Sequence, residues 1–249
     1  MFGSHTQRIT TGLALLAVVV IVGLIDNLFL MWLFFGIVYL LAFKEAMALY
    51  GLKKDALLLY AAALWLIAGV YPYGDDLFIL AGVAYAGAVA YNKNLSWKNF
   101  LPFIYPTAGM LYIFTMYREY GVVSLFWLLV VVALSDVGAY AVGKSIGKTK
   151  FCETSPNKTM EGVVGGVTVA TLGGMFLGLS IVDIFPAFLI SFATSVASIF
   201  GDLYESKLKR EAGVKDSGTL LPGHGGVLDR IDGYLFGAIV MLILMRGLV

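Results

Sequence analysis

VVSLFWLLVVVALSDVGAYAV, residues Val122–Val142, carries a single charge, Asp136. A helix of that length rises about 30 Å, the thickness of a bilayer's hydrocarbon core. Similar runs lie on both sides of it: Ile9–Ile25, Leu28–Phe43, Ala56–Val70, Leu77–Tyr91, Phe100–Tyr117, Gly162–Val182, Ile184–Gly201 and Ile231–Leu248. Nine such runs in 249 residues predict an all-α, polytopic membrane bundle of about nine transmembrane helices. At about 20 residues per span they use about 180 residues. The remainder has room for an active-site segment but not for a second folded domain. Composition agrees, with 60% hydrophobic residues, 13% charged and a mean hydropathy of +0.88. A soluble domain carries about 25% charged residues. Disorder, a disulfide-stapled secreted module and an ordinary soluble enzyme are excluded. The first run reads as a span rather than a cleaved leader, because no small-residue cleavage site follows it and the second run begins almost at once.

The charges sort by side. With nine spans, the N-terminal side and the connections that share it receive 15 of the 17 basic residues, from Arg8 through Lys53, Lys54, Lys93 and Lys98 to Arg230. The other side receives only Arg118 and Arg246. Positive-inside sorting then predicts a cytoplasmic N-terminus and an outside C-terminus. Net charge is +1 and there is no basic tail, so no nucleic-acid partner is expected. The single cysteine, Cys152, excludes an intramolecular disulfide and a cysteine-built zinc site; two histidines, His5 and His224, exclude a His-rich cage. Any metal must be held mainly by oxygen, which favours a hard cation such as Mg2+.

Acidic residues in or beside spans carry a functional expectation, because charge in hydrocarbon is costly. Asp136 lies inside the sixth run, toward its cytoplasmic end. Asp202 is read as ending the eighth and Asp232 as opening the ninth, both on the same side. Asp229, three residues before Asp232, shares a face with it if the helix starts early enough. Like charges gathered at one depth need a cation to offset them. Singly, Asp202 and Asp229 could be helix-end residues among headgroups, and Asp136 could pair with Lys144.

Between Asp202 and Arg230 runs a polar connection, GDLYESKLKREAGVKDSGTLLPGHGGVLDRID from Gly201 to Asp232. Its Lys207, Lys209, Arg210 and Lys215 could neutralise phosphates, or form a solvated basic loop. Gly223, Gly225 and Gly226 flank His224 and allow close backbone approach or an anion-binding nest. His224 could act as acid or base, bind a phosphate oxygen, or cap the turn. A second polar connection carries Lys144, Lys148, Lys150, Ser155, Lys158, Thr159 and Glu161 toward the same compartment. The pairs Gly162-x-x-x-Gly166, Gly174-x-x-x-Gly178 and Gly233-x-x-x-Gly237 fit close helix packing. Gly138–Ser145 matches G-x-x-x-x-G-K-S, yet a P-loop needs a strand before it and none is expected here.

Three blocks together resemble one family: Ser206-x-Leu208-Lys209-Arg210, Lys215-Asp216-x-Gly218, and Pro222-x-His224-Gly225-Gly226-x-x-Asp229-Arg230-x-Asp232. They are similar to the signature of the phosphatidate cytidylyltransferases, the CDP-diacylglycerol synthases. Asp136-x-x-Ala139-Tyr140-x-x-Gly143, Ser155-Pro156-x-Lys158-Thr159-x-Glu161-Gly162 and Gly201-Asp202-Leu203-x-Glu205-Ser206 look like further motifs of that family. Met160 departs from it, standing where the family often has an aromatic residue. The motifs cover the second half of the chain, so the spans of residues 1–120 are expected to be scaffold. Residues 121–249, with loops 143–161 and 202–230, are expected to be catalytic.

The resemblance implies an enzyme that moves CMP from CTP to phosphatidate in phospholipid biosynthesis, in a bacterial inner membrane with its active site facing the cytoplasm. It also implies Mg2+, a second cation (K+) and a homodimer. Asp202 and Asp229 match the family's metal-binding aspartates, with Asp232 taken beside them. Asp216 matches a further essential acidic position and is grouped with Lys209 as catalytic. Substrate contacts are expected from Lys144, Ser155, Lys158, Thr159, Glu161, Ser206, Arg210, Lys215, His224, Gly225, Gly226 and Arg230, together with Asp136 and Tyr140. A secondary transporter with intramembrane carboxylates and a CTP-dependent lipid kinase are the alternatives. A transporter should show a repeat and midplane charges, and neither is visible.

Overall fold

A computed structural model describes residues 2–53 and 55–248. Lys54 and the side chain of Arg8, both counted above on the basic side, lie outside the described residues. The helices in chain order are α1 (Phe2–Ile25), α2 (Leu28–Leu49), α3 (Asp55–Val70), α4 (Asp76–Tyr91), α5 (Ala108–Ile146), α6 (Met160–Gly178), α7 (Ile184–Glu211) and α8 (Leu228–Leu248). A 3-10 turn, Trp97–Phe100, and a π turn, Phe103–Thr107, precede α5. No strand occurs among the described residues.

Among the described residues, five segments are long and apolar enough to cross a membrane: Leu28–Leu49, Trp97–Ile146, Met160–Gly178, Ile184–Glu211 and Leu228–Leu248. Trp97–Ile146 holds two of the expected spans. Its helix breaks at Gly121, whose φ of 72° and ψ of −176° are cheap only for glycine. The Ser124 hydroxyl donates to the Gly121 carbonyl at 2.7 Å and covers the break. Three shorter apolar helices among the described residues, Thr10–Ile25, Asp55–Val70 and Asp76–Tyr91, stand where further spans are expected. Large apolar side chains face outward, among them Leu24, Leu59, Val83, Phe176 and Phe185. A chain that satisfies its backbone within helices and turns apolar side chains outward is an integral membrane protein.

Several boundaries differ from the expected ones. α7 runs ten residues past Gly201, so Asp202 lies inside the helix instead of ending it. Ser206, Lys209 and Arg210 are therefore helical too. The extension LYESKLKRE is made mostly of good helix formers and is held by Lys209 against Glu205, one turn apart. α2 continues through Lys44 and Glu45 to Leu49. α8 starts at Leu228, three residues early, so Asp229 and Asp232 stand one turn apart on it. Gly138–Ser145 is helical within α5, which removes the P-loop lookalike.

The chain forms two compact units. The first comprises Met1–Thr115 with Glu211–Ile231. Within it, α2 and α3 are joined by a reciprocal clasp. The Trp32 indole N–H donates to the Trp65 carbonyl and the Trp65 indole N–H to the Trp32 carbonyl, both at 3.1 Å. Gly36 and Gly69, each four residues after one of these tryptophans, leave room for the partner's ring. Two indole donors are thereby satisfied in hydrocarbon, where they need a partner.

The second unit comprises Met116–Arg210 with Asp232–Val249. Here α6 buries a stripe of small residues, Gly162, Gly166, Ala170, Gly174 and Gly178. A Cβ on Gly166 would stand 2.5 Å from the Ser135 carbonyl oxygen of α5, and one on Gly162 would stand 2.7 Å from that of Ala139. The two backbones are in contact, as small-residue spacing predicts. Likewise, a Cβ on Gly201 of α7 would stand 2.5 Å from the Asp232 carbonyl oxygen of α8.

Gly166→Leu is expected to cost at least about 1–3 kcal/mol through overpacking and to lower the thermal midpoint in detergent. Gly87→Ala on α4 meets no atom within 4 Å. It should leave the midpoint unchanged or raise it slightly, by the glycine-to-alanine helix gain of about 0.5–1 kcal/mol.

Candidate active site

In the first unit, the segment after α7 doubles back at residues 221–225. The Leu221 N–H donates to the Gly225 carbonyl and the His224 N–H to the Leu221 carbonyl, both at 2.9 Å. Gly225 has a φ of 82°, and a Cβ there would stand 2.5 Å from Asp229 Oδ2. Only glycine meets both conditions. The turn delivers the Gly226 N–H to Asp229 Oδ2 at 2.7 Å. The Ser217 N–H, at 2.8 Å, and the Ser217 hydroxyl, at 2.9 Å, reach the same oxygen. Asp229 sits in the first turn of α8, where the helix dipole favours negative charge. Arg230 is exposed, and its Nε donates to the His224 carbonyl at 3.2 Å. Lys215 and Asp216 are exposed, and His224 is half-buried.

A second carboxylate joins this cluster without having been anticipated. Glu45 of α2 accepts the Val227 N–H at 3.0 Å, the Leu228 N–H at 2.8 Å and the Ser217 hydroxyl at 3.0 Å. Its signal in the sequence is an acid beside Lys44, just past the apolar run that ends at Phe43. Ser217 has one hydroxyl hydrogen, so it donates to Glu45 and Asp229 in alternation.

In the second unit, Asp136, Tyr140 and Lys144 of α5 line a cavity of about 380 Å³ together with Lys158 and Thr159. This lies within the usual size of small-molecule sites, about 300–1,000 Å³. The Lys144 ammonium stands 3.5 Å from the Tyr140 hydroxyl and 5.6 Å from its ring centroid. Lys158 forms an ion pair with Asp202 of α7, and both side chains remain partly exposed. Asp232 on α8 lies near Glu205 and Asp202 of α7 and Asp136 of α5, so these carboxylates of three helices share one neighbourhood. Lys209 lies 2.6 Å from Glu205, a fully buried acid that offsets its charge.

The loop before α6 is closed by a β-bridge between Lys150 and Thr159 and by Glu161. Glu161 accepts the Lys148 and Thr149 N–H groups at 3.1 and 3.2 Å and the Thr149 hydroxyl at 2.9 Å. Thr159 caps α6, its hydroxyl accepting the Gly162 N–H at 3.2 Å. Asp136, Tyr140, Lys144, Lys158 and Thr159 thus meet in one cavity, whereas Ser155, Glu161, Ser206 and Arg210 are not among its lining residues.

The donors in this unit are carboxylate oxygens, which suit a hard divalent cation such as Mg2+. No three His, Cys, Asp or Glu side chains among the described residues converge closely enough to hold an ion alone. Mg2+ commonly takes one or two carboxylates and completes its shell with water and substrate phosphate. Thr159→Ala removes the α6 cap and is expected to lower stability by about 0.5–2 kcal/mol, read as a fall in the thermal midpoint.

Residues 6–248 match the family model described as the cytidylyltransferase family. The phosphatidate cytidylyltransferase of Helicobacter pylori (strain J99) is 42% identical over 242 residues, covering 96% of this chain and 91% of that protein. The Thermotoga maritima protein of the same name is 31% identical, covering 84% of this chain and 85% of that protein. The Bacillus subtilis (strain 168) protein of that name is 49% identical over 123 residues, 47% of this chain and 45% of that protein. With the family model spanning residues 6–248 and a relative 42% identical across 96% of the sequence, this chain belongs to the cytidylyltransferase family.

Proposed function

We propose that this membrane enzyme transfers CMP from CTP to phosphatidate, giving CDP-diacylglycerol and pyrophosphate, at the cytoplasmic face of the membrane. The observation that carries the reading is the cavity in which Lys144 and Lys158 stand with Asp136, and from which Lys158 reaches Asp202. Two cations and a carboxylate in one pocket, with a second carboxylate paired to Lys158, suit a substrate that brings both phosphates and a metal.

A phosphate oxygen of phosphatidate attacks the α-phosphorus of CTP. The new P–O bond forms as the bond to the bridging α–β oxygen breaks, and pyrophosphate leaves with that electron pair. The attacking oxygen is already ionised, so no protein nucleophile is required. The barrier is mainly that of bringing two polyanions together in line, which positioning and fixed positive charge address. Lys144 and Lys158 hold phosphate oxygens. A phosphate competes with Asp202 for Lys158, and its arrival frees Asp202 as an oxygen donor. Asp202 and Asp232 would hold Mg2+, which when bound neutralises phosphate charge and stabilises the departing pyrophosphate. The same reading includes Asp229 as a metal-binding and catalytic carboxylate, K+ as a second cation, a homodimer, and a bacterial inner membrane with basic loops toward the cytoplasm.

Purified protein given CTP and phosphatidate with Mg2+ should yield CDP-diacylglycerol and pyrophosphate. A phosphorylated lipid alcohol as product, or no turnover, would overturn the reading. Asp229→Asn keeps an amide oxygen for the Ser217 and Gly226 N–H groups but loses the charge. It is expected to fold and to lose about a hundredfold in kcat, about 2.7 kcal/mol. Lys144→Gln should raise the KM for CTP about tenfold, about 1.4 kcal/mol, with a smaller change in kcat.

A further inference from the structure

We propose that Glu45, at the loop-bearing end of α2, is a positioning residue for the transferase reaction, acting through Ser217 and the first turn of α8 on Asp229. This rests on the function proposed above, in which Asp229 is catalytic.

The geometry is that of a fork. The two Glu45 oxygens take successive backbone donors, Val227 N–H on Oε1 at 3.0 Å and Leu228 N–H on Oε2 at 2.8 Å. These are donors at the start of α8, which no preceding turn of helix can satisfy. Val227, Leu228 and Ser217 are all buried, so water is a poor substitute. The Ser217 hydroxyl links the two carboxylates, 3.0 Å from Glu45 Oε2 and 2.9 Å from Asp229 Oδ2. The Asp229 N–H in turn donates to the Ser217 hydroxyl oxygen at 3.3 Å.

Two glycines are explained by the same carboxylate. A Cβ on Gly218 would stand 2.5 Å from Glu45 Oε1. One on Gly226 would overlap Glu45 Oε2 and Ser217 Oγ. The loop glycines therefore let the backbone close around a side chain of the N-terminal helices. Glu45 lies more than 170 residues from each of its partners in sequence. The helices expected to be scaffold thus supply the group that orients a catalytic aspartate.

The test uses the full-length protein in detergent with CTP and phosphatidate. Wild-type turnover is measured first, and its absence would refute the proposed function without bearing on the Glu45 contacts. Given wild-type turnover, Glu45→Gln retains shape but turns one acceptor into a donor facing a backbone N–H. It is expected to lower kcat at least tenfold, change the KM for CTP less than threefold, and speed amide hydrogen exchange in residues 215–229. The thermal midpoint should stay within a few degrees of wild type. Ser217→Ala should show the same split, and the double variant should be no worse than the poorer single one. Wild-type kcat in Glu45→Gln overturns the proposal, as does a loss of activity that follows a global fall in stability without local exchange. If Glu45→Gln does not fold, Ser217→Ala decides alone: a tenfold kcat loss with unchanged KM supports the proposal, and a wild-type rate overturns it.

Discussion

In hydrocarbon there is no water to take a hydrogen bond, so each polar group of a membrane helix must find its partner within the chain. Several of the described contacts answer this constraint. The indoles of Trp32 and Trp65 each donate to the other's backbone carbonyl. The Trp127 indole donates to the Ser191 hydroxyl at 2.9 Å. The first donors of α8 end on the carboxylate of Glu45. Such contacts do more than stabilise. A group with one available partner has one available position, so satisfaction of polar groups also sets the geometry of the loops that carry the chemistry.

The second element is close packing without a hydrophobic driving force. Lipid tails are as apolar as leucine, so helices associate through van der Waals contact and short polar bridges. Along α6 the glycines Gly162, Gly166, Gly174 and Gly178, with the small Ala170 between them, let α5 approach closely. The consequence is local and functional. Asp136, Tyr140 and Lys144 on α5 are brought to the same cavity as Lys158 and Thr159, which lie just ahead of α6. Glycines that look like packing detail therefore set the width of the pocket. Their placement explains how a pocket with both signs of charge can exist at the end of two membrane helices.

Much of this was legible because hydrocarbon leaves few solutions. Nine apolar runs could be read as nine helical segments, including the two that meet at Gly121. Small-residue spacing in α6 was read correctly as a helix contact. The one-turn separation of Asp229 and Asp232 followed once α8 was found to begin at Leu228. Other features were misread for stated physical reasons. Hydropathy falls at Gly201, yet α7 continues, because Glu205 and Lys209 are good helix formers that pair one turn apart. Glu45 was overlooked because an acid beside Lys44 near the end of an apolar run resembles an ordinary interfacial residue. Nothing in its immediate sequence indicates that its partners are Ser217, Val227 and Leu228.

By itself, then, the order of residues determined the class of solvent, the number of helical segments, the polar connections and the kind of chemistry their lysines and aspartates suit. These are properties of composition and spacing, and each is settled within a window of about 20 residues. Tertiary structure alone decided which carboxylates are bonded to what. Lys158 holds Asp202 across 44 residues of sequence, and Glu45 caps a helix 183 residues away from it. Such pairings depend on which faces of distant helices meet, and a periodic pattern records only that a face is apolar, not which partner it will find.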